Sequence, residues 1–395
     1  MPVTTSIAAE IESLITPWIA PKEQINLVIG IIHGEDRWTK GWGSANQPDS
    51  NCAEIDPPNE NTLFEIGSIT KVFTSTLLAL LVEQGKLALN TPINQLEPIY
   101  QKLPDAVTLE RLATHTSGLP RLPHNLHKSH RQDPQNPYAA YTFADLNEYL
   151  QSHDGKPGKT VGKISYSNVA VGILGNILAE QLGQTYEEAL VQHICNPLGL
   201  RDTRITLSDK QHVRFAMGYS EDGKPVKPWD LPTLAGAGAL RSTAHDLLTF
   251  LAANLQPEHT PIAHALLNTH ELRCETFAPT TGLHGLIEQV AHWIRRSRGP
   301  LLTHQEQGIA LGWFVEYLPA IERYVYTHTG GTGGYRSFCG FIKNTQTGVV
   351  VLSNYGDLVA SMFGRYSVGS IGLKILELLN SCPQNKSQQL QELSF

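Results

Sequence analysis

The amino-acid sequence predicts an α+β fold, in which an α/β layer with an antiparallel sheet is flanked by helices and a mainly helical region is inserted. Three observations carry this prediction. Short strand-like runs occur near both ends of the chain, apolar residues between them recur at helical spacing, and turn-rich segments separate the runs. Because strand signals at the two ends enclose the helical patterns, we expect both ends to build one layer.

The first elements are a helix and a hairpin. Apolar residues at positions 7, 11, 14, 15 and 18 recur at helical spacing and predict a short amphipathic helix, which Pro17 limits near its end. The β-branched run INLVIGII at residues 25–32 predicts a strand. The turn residues HGED follow it and lead into RWTKGWG, so the two runs predict a hairpin.

A long, mostly buried helix is predicted next. From Ser68 to about Gln84 apolar residues recur every three or four positions, and Gly85 stands where a helix C-cap is expected. Short helical patterns then alternate with loops rich in proline, glycine and histidine, of which residues 120–138, with four prolines, form the least regular. These helical patterns cover residues 109–114, 143–151, 169–182, 185–195 and 243–254.

The last part of the chain returns to strand signals. Four short runs separated by turn-rich or glycine-rich gaps predict an antiparallel meander. They cover residues 311–317, 323–329, 336–342 and 348–353. A final helix with glycine interruptions is predicted over roughly 358–380.

These elements predict a single domain, 1–395, made of two lobes. The expected parts are an α/β lobe from about 1–70 and 300–380, a helical lobe at about 71–299 and a loose polar tail at 381–395. A cleft between two such lobes is a natural place for a small-molecule site.

Composition limits the classes of function. The chain has 395 residues, 41% of them hydrophobic, with a formal net charge of −7 and a pI near 6.1. This mildly acidic balance argues against a sequence-independent grip on nucleic acid or a membrane, so we expect a small-molecule substrate. The N-terminal residues lack a basic and a continuous apolar region, and the most apolar stretch, 169–179, is too short to span a bilayer. A cytoplasmic location is therefore expected.

No metal or cofactor is expected. The five cysteines are scattered and lack CxxC spacing, so they predict neither a disulfide framework nor a zinc site. His124, His127 and His130 in HNLHKSH are regularly spaced, but no acidic or cysteine ligands lie nearby in ligand spacing, and a solvated loop is expected. The glycine-rich strings at 235–242 and 330–334 lack the patterns of nucleotide-binding loops.

Ser68 and Lys71 in FEIGSITKVFT are the first candidates for catalysis. Residues three apart at the head of a helix share one face, and free N–H groups in the first turn favour negative charge developing at Ser68. A lysine in a partly desolvated cleft is held neutral more readily and can accept the proton of a serine hydroxyl. The pair alone leaves a second interpretation open, an N-terminal helix serine beside a snorkelling lysine.

Two further strings join this pair. YSN at 166–168 precedes the helical run 169–182, and HTG at 328–330 ends in GTGG. S-x-x-K, Y-x-N and [K/H]-T-G in this order resemble the serine β-lactamase and penicillin-binding-protein superfamily, and the tyrosine version resembles its class C β-lactamase, DD-peptidase and esterase branch. The strings that resemble that branch, over about 25–380, are FEIGSITKVFT, LATHTSGLP, ISYSNVAVGILG, NPLGLRDT, GAGALRSTAHDLLTFLAANL and HTGGTGGYRSF.

The resemblance implies a β-lactamase/transpeptidase-like fold and a role for each matching residue. Ser68 would be the acylated nucleophile and Lys71 its proton-handling partner. Tyr166 would pass a proton between Ser68 and the leaving group, with its pKa depressed by the positive charge of Lys71.

The same resemblance implies a substrate-binding side. Asn168 would hydrogen-bond a substrate amide or orient Lys71, and the backbone N–H groups of Ser68 and Gly331 would form the oxyanion hole. Glycines in this strand would let a substrate backbone approach closely. The substrate-binding residues implied are Asn168, His328, Thr329, Gly330 and Gly331.

The third motif departs from the β-lactamase pattern, because His328 stands where most class C β-lactamases have lysine. Histidine is largely neutral at pH 7 and supplies less positive charge for a substrate carboxylate, which disfavours efficient β-lactam hydrolysis. Two interpretations of Arg336 and Arg121 are open. One of them supplies the positive charge that lysine would have provided, or both are simple surface residues. His115 in LATHTSGLP is expected to be a structural histidine at a helix end.

Two functions of different kinds remain open at this point. The leading hypothesis is a cofactor-free serine hydrolase that forms an acyl-enzyme on Ser68 from an ester, a D-amino-acid peptide or a β-lactam. The alternative is a penicillin-binding sensor or binding module on the same fold, without turnover. Such sensors usually carry a membrane segment or a linked output domain, and the sequence shows neither, so catalysis is favoured.

Overall fold

A computed structural model describes residues 5–22, 24–43, 57–278, 305–356 and 367–381. The α-helices there are α1 Thr5–Ile19, α2 Thr70–Glu83, α3 Leu109–Ala113, α4 His127–Gln132, α5 Phe143–Gln151, α6 Asn168–Leu182, α7 Tyr186–Leu190, α8 Asn196–Leu198, α9 Asp209–His212, α10 Ala244–Leu255, α11 Ala263–Thr269 and α12 Val368–Ser381. The strands are β1 Asn26–His33, β2 Asp36–Gly43, β3 Phe64–Glu65, β4 Gly218–Ser220, β5 Pro225–Val226, β6 Arg241–Ser242, β7 Gln305–Ile309, β8 Phe314–Leu318, β9 Arg323–Gly331, β10 Arg336–Ile342, β11 Thr347–Ser353 and β12 Tyr355–Gly356. Two short 3-10 turns that shape the site are Gly67–Ile69 and Ala235–Ala237.

The central element is an antiparallel sheet of seven strands in the order β2-β1-β11-β10-β9-β8-β7. Strand β1, from the N-terminal part, pairs with β11, so that Leu27 lies opposite Ser353. The strands from β11 back to β7 form a continuous meander. Both ends of the chain therefore build one sheet, and the predicted α+β class is confirmed.

Most of the predicted strands are confirmed within a few residues, including the hairpin formed by β1 and β2. The run predicted at 311–317 becomes a strand only at Phe314, because Gly312 has a φ of +78°, which interrupts extended backbone. Strand β7 was not predicted, since its sequence QEQGI lacks the β-branched and aromatic residues that mark the other strands.

The sheet is buried on both faces, as β1 illustrates. Its residues Leu27, Ile29 and Ile31 belong to a core cluster with α1 and α12, whereas Val28 and Ile32 belong to the larger cluster with α2 and α10. Successive residues of a strand point to opposite faces. An unbroken apolar run such as INLVIGII therefore needs apolar partners on both sides of the sheet, and the helices supply them.

Helix α2 is buried from Thr70 to Leu81. Its prediction is confirmed with one correction at the start, because Ser68 lies in the 3-10 turn Gly67–Ile69 and the α-helix begins only at Thr70. At its other end Gly85 has a φ of +68°, the left-handed conformation that the predicted C-cap requires.

The middle of the chain is helical, as predicted, with one further correction. The loop expected at 120–138 contains α4, so it is not irregular throughout. The final helix is confirmed at Val368–Ser381, and the earlier part of its predicted range, 358–366, lies outside the described residues. The division into two lobes stays a prediction, and α10, which falls in the expected helical lobe, packs on β1 and β11 of the sheet.

The described ranges contain no helix that is long and apolar enough to cross a membrane. Cys195, Cys274 and Cys339 are free thiols, while Cys52 and Cys382 lie outside the described residues. Cys195 and Cys339 are buried and fill space in the larger core cluster.

Candidate active site

Ser68 lies in the 3-10 turn between β3 and α2, where the chain is forced close to strand β9. Gly67 before it has a φ of +48°, and a Cβ there would come within 2.6 Å of the backbone nitrogen of Gly331. Only glycine fits both the conformation and the contact. Ser68 is half-buried, whereas its neighbours in the turn are buried, so Ser68 is the residue of this turn that solvent reaches.

Lys71 lies in the first turn of α2 with a fully buried side chain. Its Nζ is 2.9 Å from Ser68 Oγ and donates a hydrogen bond of 2.6 Å to the carbonyl oxygen of Ala237. Burial, and secondarily the charge of Arg121, lowers the pKa of Lys71 well below its usual value. A neutral amine next to a serine hydroxyl can accept the serine proton.

Tyr166 lies just before α6, with its ring centroid 4.9 Å from Lys71 Nζ. Burial raises the pKa of Tyr166 to about 12, opposed by a hydrogen bond with Ser68 and by the charge of Arg121. The expected lowering of this pKa by Lys71 is therefore wrong. Lys71 is itself buried and driven toward its neutral form, so Tyr166 is a protonated phenol at neutral pH.

Asn168 begins α6, and its backbone N–H donates to the carbonyl oxygen of Arg121 over 2.9 Å. Its side-chain oxygen Oδ1 is buried and has no hydrogen-bond partner among the described residues. Within the same ranges no hydrogen bond joins Asn168 to Lys71, whose second partner is Ala237. An unpartnered amide oxygen can accept a hydrogen bond from a substrate N–H.

Strand β9 forms the opposite wall and carries the third motif. His328 is 2% exposed, its Nδ1 lies 2.7 Å from the carbonyl oxygen of Thr329, and burial lowers its pKa to about 3. It is therefore neutral at physiological pH. The next residues alternate along the strand, so that Thr329 and Gly331 are exposed and Gly330 is buried.

Gly330 allows β9 to lie directly against the nucleophile turn. A Cβ on Gly330 would be 2.0 Å from the carbonyl oxygen of Ile66. The hydroxyl of Ser337 on β10 donates a 2.8 Å hydrogen bond to this same oxygen and holds the turn on the sheet. The backbone of Gly331 thereby comes next to the turn that carries Ser68, the arrangement that an oxyanion hole requires.

Sequence reasoning missed two residues of the site. Ala237 lies in the string AGAGALRS, which was weighed as a phosphate loop and overlaps a string of the family resemblance, but no role was assigned to Ala237. Its carbonyl oxygen accepts a hydrogen bond from Lys71 Nζ. Phe314 at the start of β8 stacks near Tyr166 and His328, with ring centroids 6.3 Å and 5.7 Å apart. No local motif marks either residue, because each reaches the site through the fold.

The remaining candidates have the following places. His115 follows α3, is buried, and accepts a hydrogen bond from the backbone of Ser167 at its Nδ1, as expected of a structural histidine. Arg336 is half-buried and donates to backbone carbonyls, so it is not a simple surface residue. The guanidinium of Arg121 stacks on Tyr166.

Among the described residues, which include His124, His127 and His130, no group of three potential metal ligands converges.

Comparison with known proteins agrees with this fold. The model of the Beta-lactamase family matches residues 18–366. A β-lactamase of Pseudomonas fluorescens is 28% identical over 89% of this chain and 94% of its own, and one of Providencia stuartii is 30% identical over 75% of each chain. The crystal structure of a β-lactamase/D-alanine carboxypeptidase from Pseudomonas syringae superposes with a TM-score of 0.73 at 20% identity, covering 96% of this chain and all of the other.

The matching family model spans most of the chain and includes every motif residue described above. The β-lactamase/transpeptidase-like fold implied by the motifs is confirmed by the solved structures. The chain therefore belongs to the β-lactamase family and is a serine hydrolase of that superfamily, which acts on β-lactam, ester or amide bonds.

Proposed function

We propose that the protein is an esterase or D-amino-acid peptidase of this family that works through an acyl-enzyme on Ser68. One observation carries the proposal: the Nζ of the buried Lys71 is 2.9 Å from Ser68 Oγ, and burial lowers the pKa of this amine well below its usual value. This distance lets an unprotonated amine take the serine proton directly.

Acylation follows from this arrangement. Lys71 Nζ takes the proton of Ser68 Oγ while Oγ bonds to the substrate carbonyl carbon, and the carbonyl electron pair moves to oxygen. The backbone N–H groups of Ser68 and Gly331 stabilise this oxyanion. When the carbonyl re-forms, the bond to the leaving group breaks and the leaving group takes the phenolic proton of Tyr166. The phenolate then regains a proton from Lys71.

In deacylation, water attacks the acyl carbon and gives a proton to Lys71 Nζ. The bond from the acyl carbon to Ser68 Oγ then breaks, Oγ takes the phenolic proton of Tyr166, the acid product leaves, and the phenolate regains a proton from Lys71. Tyr166 enters as an acid because its pKa of about 12 keeps the phenol protonated at neutral pH.

The substrate class is inferred from the wall formed by β9. His328, with a pKa near 3, provides no positive charge where β-lactamases of the same branch usually have lysine. Several relatives are named β-lactamases, and one solved neighbour is a β-lactamase/D-alanine carboxypeptidase. We therefore propose slow turnover of β-lactams and faster turnover of esters or short peptides ending in D-amino acids.

The test combines turnover with intact-protein mass spectrometry. Wild type, Ser68→Ala and the control Ser220→Ala are each mixed with a p-nitrophenyl ester and with a fluorescent penicillin. Ser220 is a half-buried serine on β4 and matches Ser68 in exposure. We expect ester turnover and an acyl mass adduct in wild type and in Ser220→Ala, and neither in Ser68→Ala.

The lifetime of the penicillin adduct separates the possible outcomes. Rapid loss of that adduct with fast β-lactam turnover would contradict the substrate assignment and identify a β-lactamase. A permanent adduct without ester turnover would identify the sensor alternative. If Ser68→Ala retains full turnover, the nucleophile assignment is wrong.

A further inference from the structure

The site has an unusual distribution of positive charge. On the β9 side His328 is neutral, and on the α2 side Lys71 is buried and driven toward its neutral form. The guanidinium of Arg336 is turned to the protein, since its Nη1 donates to the carbonyl oxygens of Thr332 and Tyr335 over 2.6 Å and 2.7 Å. These three basic residues are thus poorly placed to attract an anionic group on a substrate.

Arg121 differs from them in both exposure and pairing. It is an exposed residue in the segment between α3 and α4, and its guanidinium carbon lies 4.9 Å from the ring centroid of Tyr166. Across the described ranges, its side chain has no hydrogen bond and no carboxylate partner. An exposed arginine that is not neutralised keeps its donors available for a ligand.

The position of Arg121 is held by the site itself. The backbone N–H of Asn168 donates to its carbonyl oxygen over 2.9 Å, so the start of α6 and Arg121 are tied together. The guanidinium also stacks on the ring of Tyr166, and Lys71 Nζ lies near the same ring, so stacking keeps the guanidinium close to the reacting groups. A flat, five-donor guanidinium in this place matches the geometry of a carboxylate.

We propose that Arg121 binds a carboxylate of the substrate at the Tyr166 side of the site, so that the preferred esters or amides carry this group. The inference rests on the proposed acyl-enzyme function and narrows its substrate class. The carboxylate lies either in the acyl part or in the leaving group, and the experiment distinguishes these two places.

Two matched pairs of esters test the proposal. The first pair is mono-p-nitrophenyl adipate and its methyl ester, which differ in a carboxylate of the acyl part. The second pair is the acetate of 4-hydroxy-3-nitrobenzoic acid and the acetate of its methyl ester, which differ in the leaving group. For each pair the measured quantity is the ratio of kcat/KM for the carboxylate to kcat/KM for the neutral ester.

The ratio separates binding from a general effect on catalysis. The charge of Arg121 also lowers the pKa of Lys71 and of Tyr166, so replacing it alters catalysis of every substrate. A change common to both members of a pair cancels in their ratio, whereas loss of carboxylate binding does not. The variants are Arg121→Gln, Arg121→Lys and the control Arg131→Gln, which removes an exposed arginine of α4.

We expect wild type to favour the carboxylate in one pair and Arg121→Gln to lower that ratio about ten- to hundredfold, the value of a charged hydrogen bond. Arg121→Lys should retain part of the preference, Arg131→Gln all of it, and added salt should weaken it in wild type. A wild type without preference in either pair, or an unchanged ratio in Arg121→Gln, overturns the proposal. If no ester is turned over and Ser68→Ala behaves like wild type, the acyl-enzyme function itself fails, which is a different result.

Discussion

Replacing Gly330 by alanine tests whether the close approach of β9 to the nucleophile turn is required. The added Cβ would lie 2.0 Å from the carbonyl oxygen of Ile66 and 2.3 Å from Ser337 Oγ, whereas Cβ atoms do not come within 3.0 Å of such neighbours. The strand and the turn must therefore separate by about 1 Å. The hydrogen bond from Ser337 to Ile66 lies directly in the path of this movement.

The expected loss follows from the place of the movement. Ile66 comes two residues before Ser68, and Gly331 follows Gly330, so this separation moves apart the backbone N–H groups of Ser68 and Gly331, which we propose form the oxyanion hole. A misplacement of about 1 Å costs roughly a hundredfold in rate. Overpacking a filled interior also lowers the free energy of unfolding by about 1–3 kcal/mol.

The assay is kcat/KM for p-nitrophenyl ester hydrolysis, together with thermal unfolding to establish that the variant is folded. Gly348→Ala on β11 is the matched control, since its Cβ would meet only side-chain atoms, of Leu251 at 3.3 Å and Leu255 at 3.6 Å. A folded Gly330→Ala enzyme with activity close to wild type would show that the close approach of β9 to the nucleophile turn is not required. A loss of similar size in Gly348→Ala would contradict the prediction as well, because the effect would then not depend on the site.

Three further predictions concern titrating groups. Lys71→Met should lower kcat/KM by about a hundred- to ten-thousandfold without recovery at high pH, because no base remains beside Ser68; a pH–rate profile measures this. Tyr166→Phe should reduce hydrolysis of alkyl esters and amides more than that of p-nitrophenyl esters, since nitrophenolate leaves without a proton; parallel assays decide it. Burial raises the pKa of Glu65 from 4.5 to about 7. The protonated carboxyl therefore stabilises the fold fully below pH 4.5, and this stabilisation is lost as the pH rises through 7. Over this range the free energy of unfolding of Glu65→Gln should rise, relative to that of wild type, by up to about 3 kcal/mol. Thermal unfolding at several pH values measures the difference.

Local sequence pattern was sufficient for much of the fold. The apolar run INLVIGII and the β-branched strands of the meander specify extended chain buried on two faces, and the helical spacing after Ser68 specifies a buried helix. Such patterns depend on neighbouring residues, so they are visible without the fold. Strand β7 was missed because its polar sequence is strand-like only when paired with β8.

The site was found only partly from sequence. The motifs indicated Ser68, Lys71 and Tyr166, and the structure brings Lys71 and Tyr166 beside the serine. The direction of the Tyr166 pKa was predicted wrongly, because a nearby lysine in the sequence was assumed to be charged. Burial decides that charge, and burial is a property of the packed molecule.

Residue types and their spacing were sufficient to indicate the family, most of the strands and helices and the candidate reacting groups. The chemistry of those groups depends on the packed molecule. The lowered pKa of Lys71 and the raised pKa of Tyr166, which keeps the phenol protonated, come from desolvation. The contacts of Lys71 with Ala237, of Gly330 with Ile66 and of Arg121 with Tyr166 join residues that are distant along the chain. Such contacts exist only once the sheet and its helices have packed, so no local pattern encodes them.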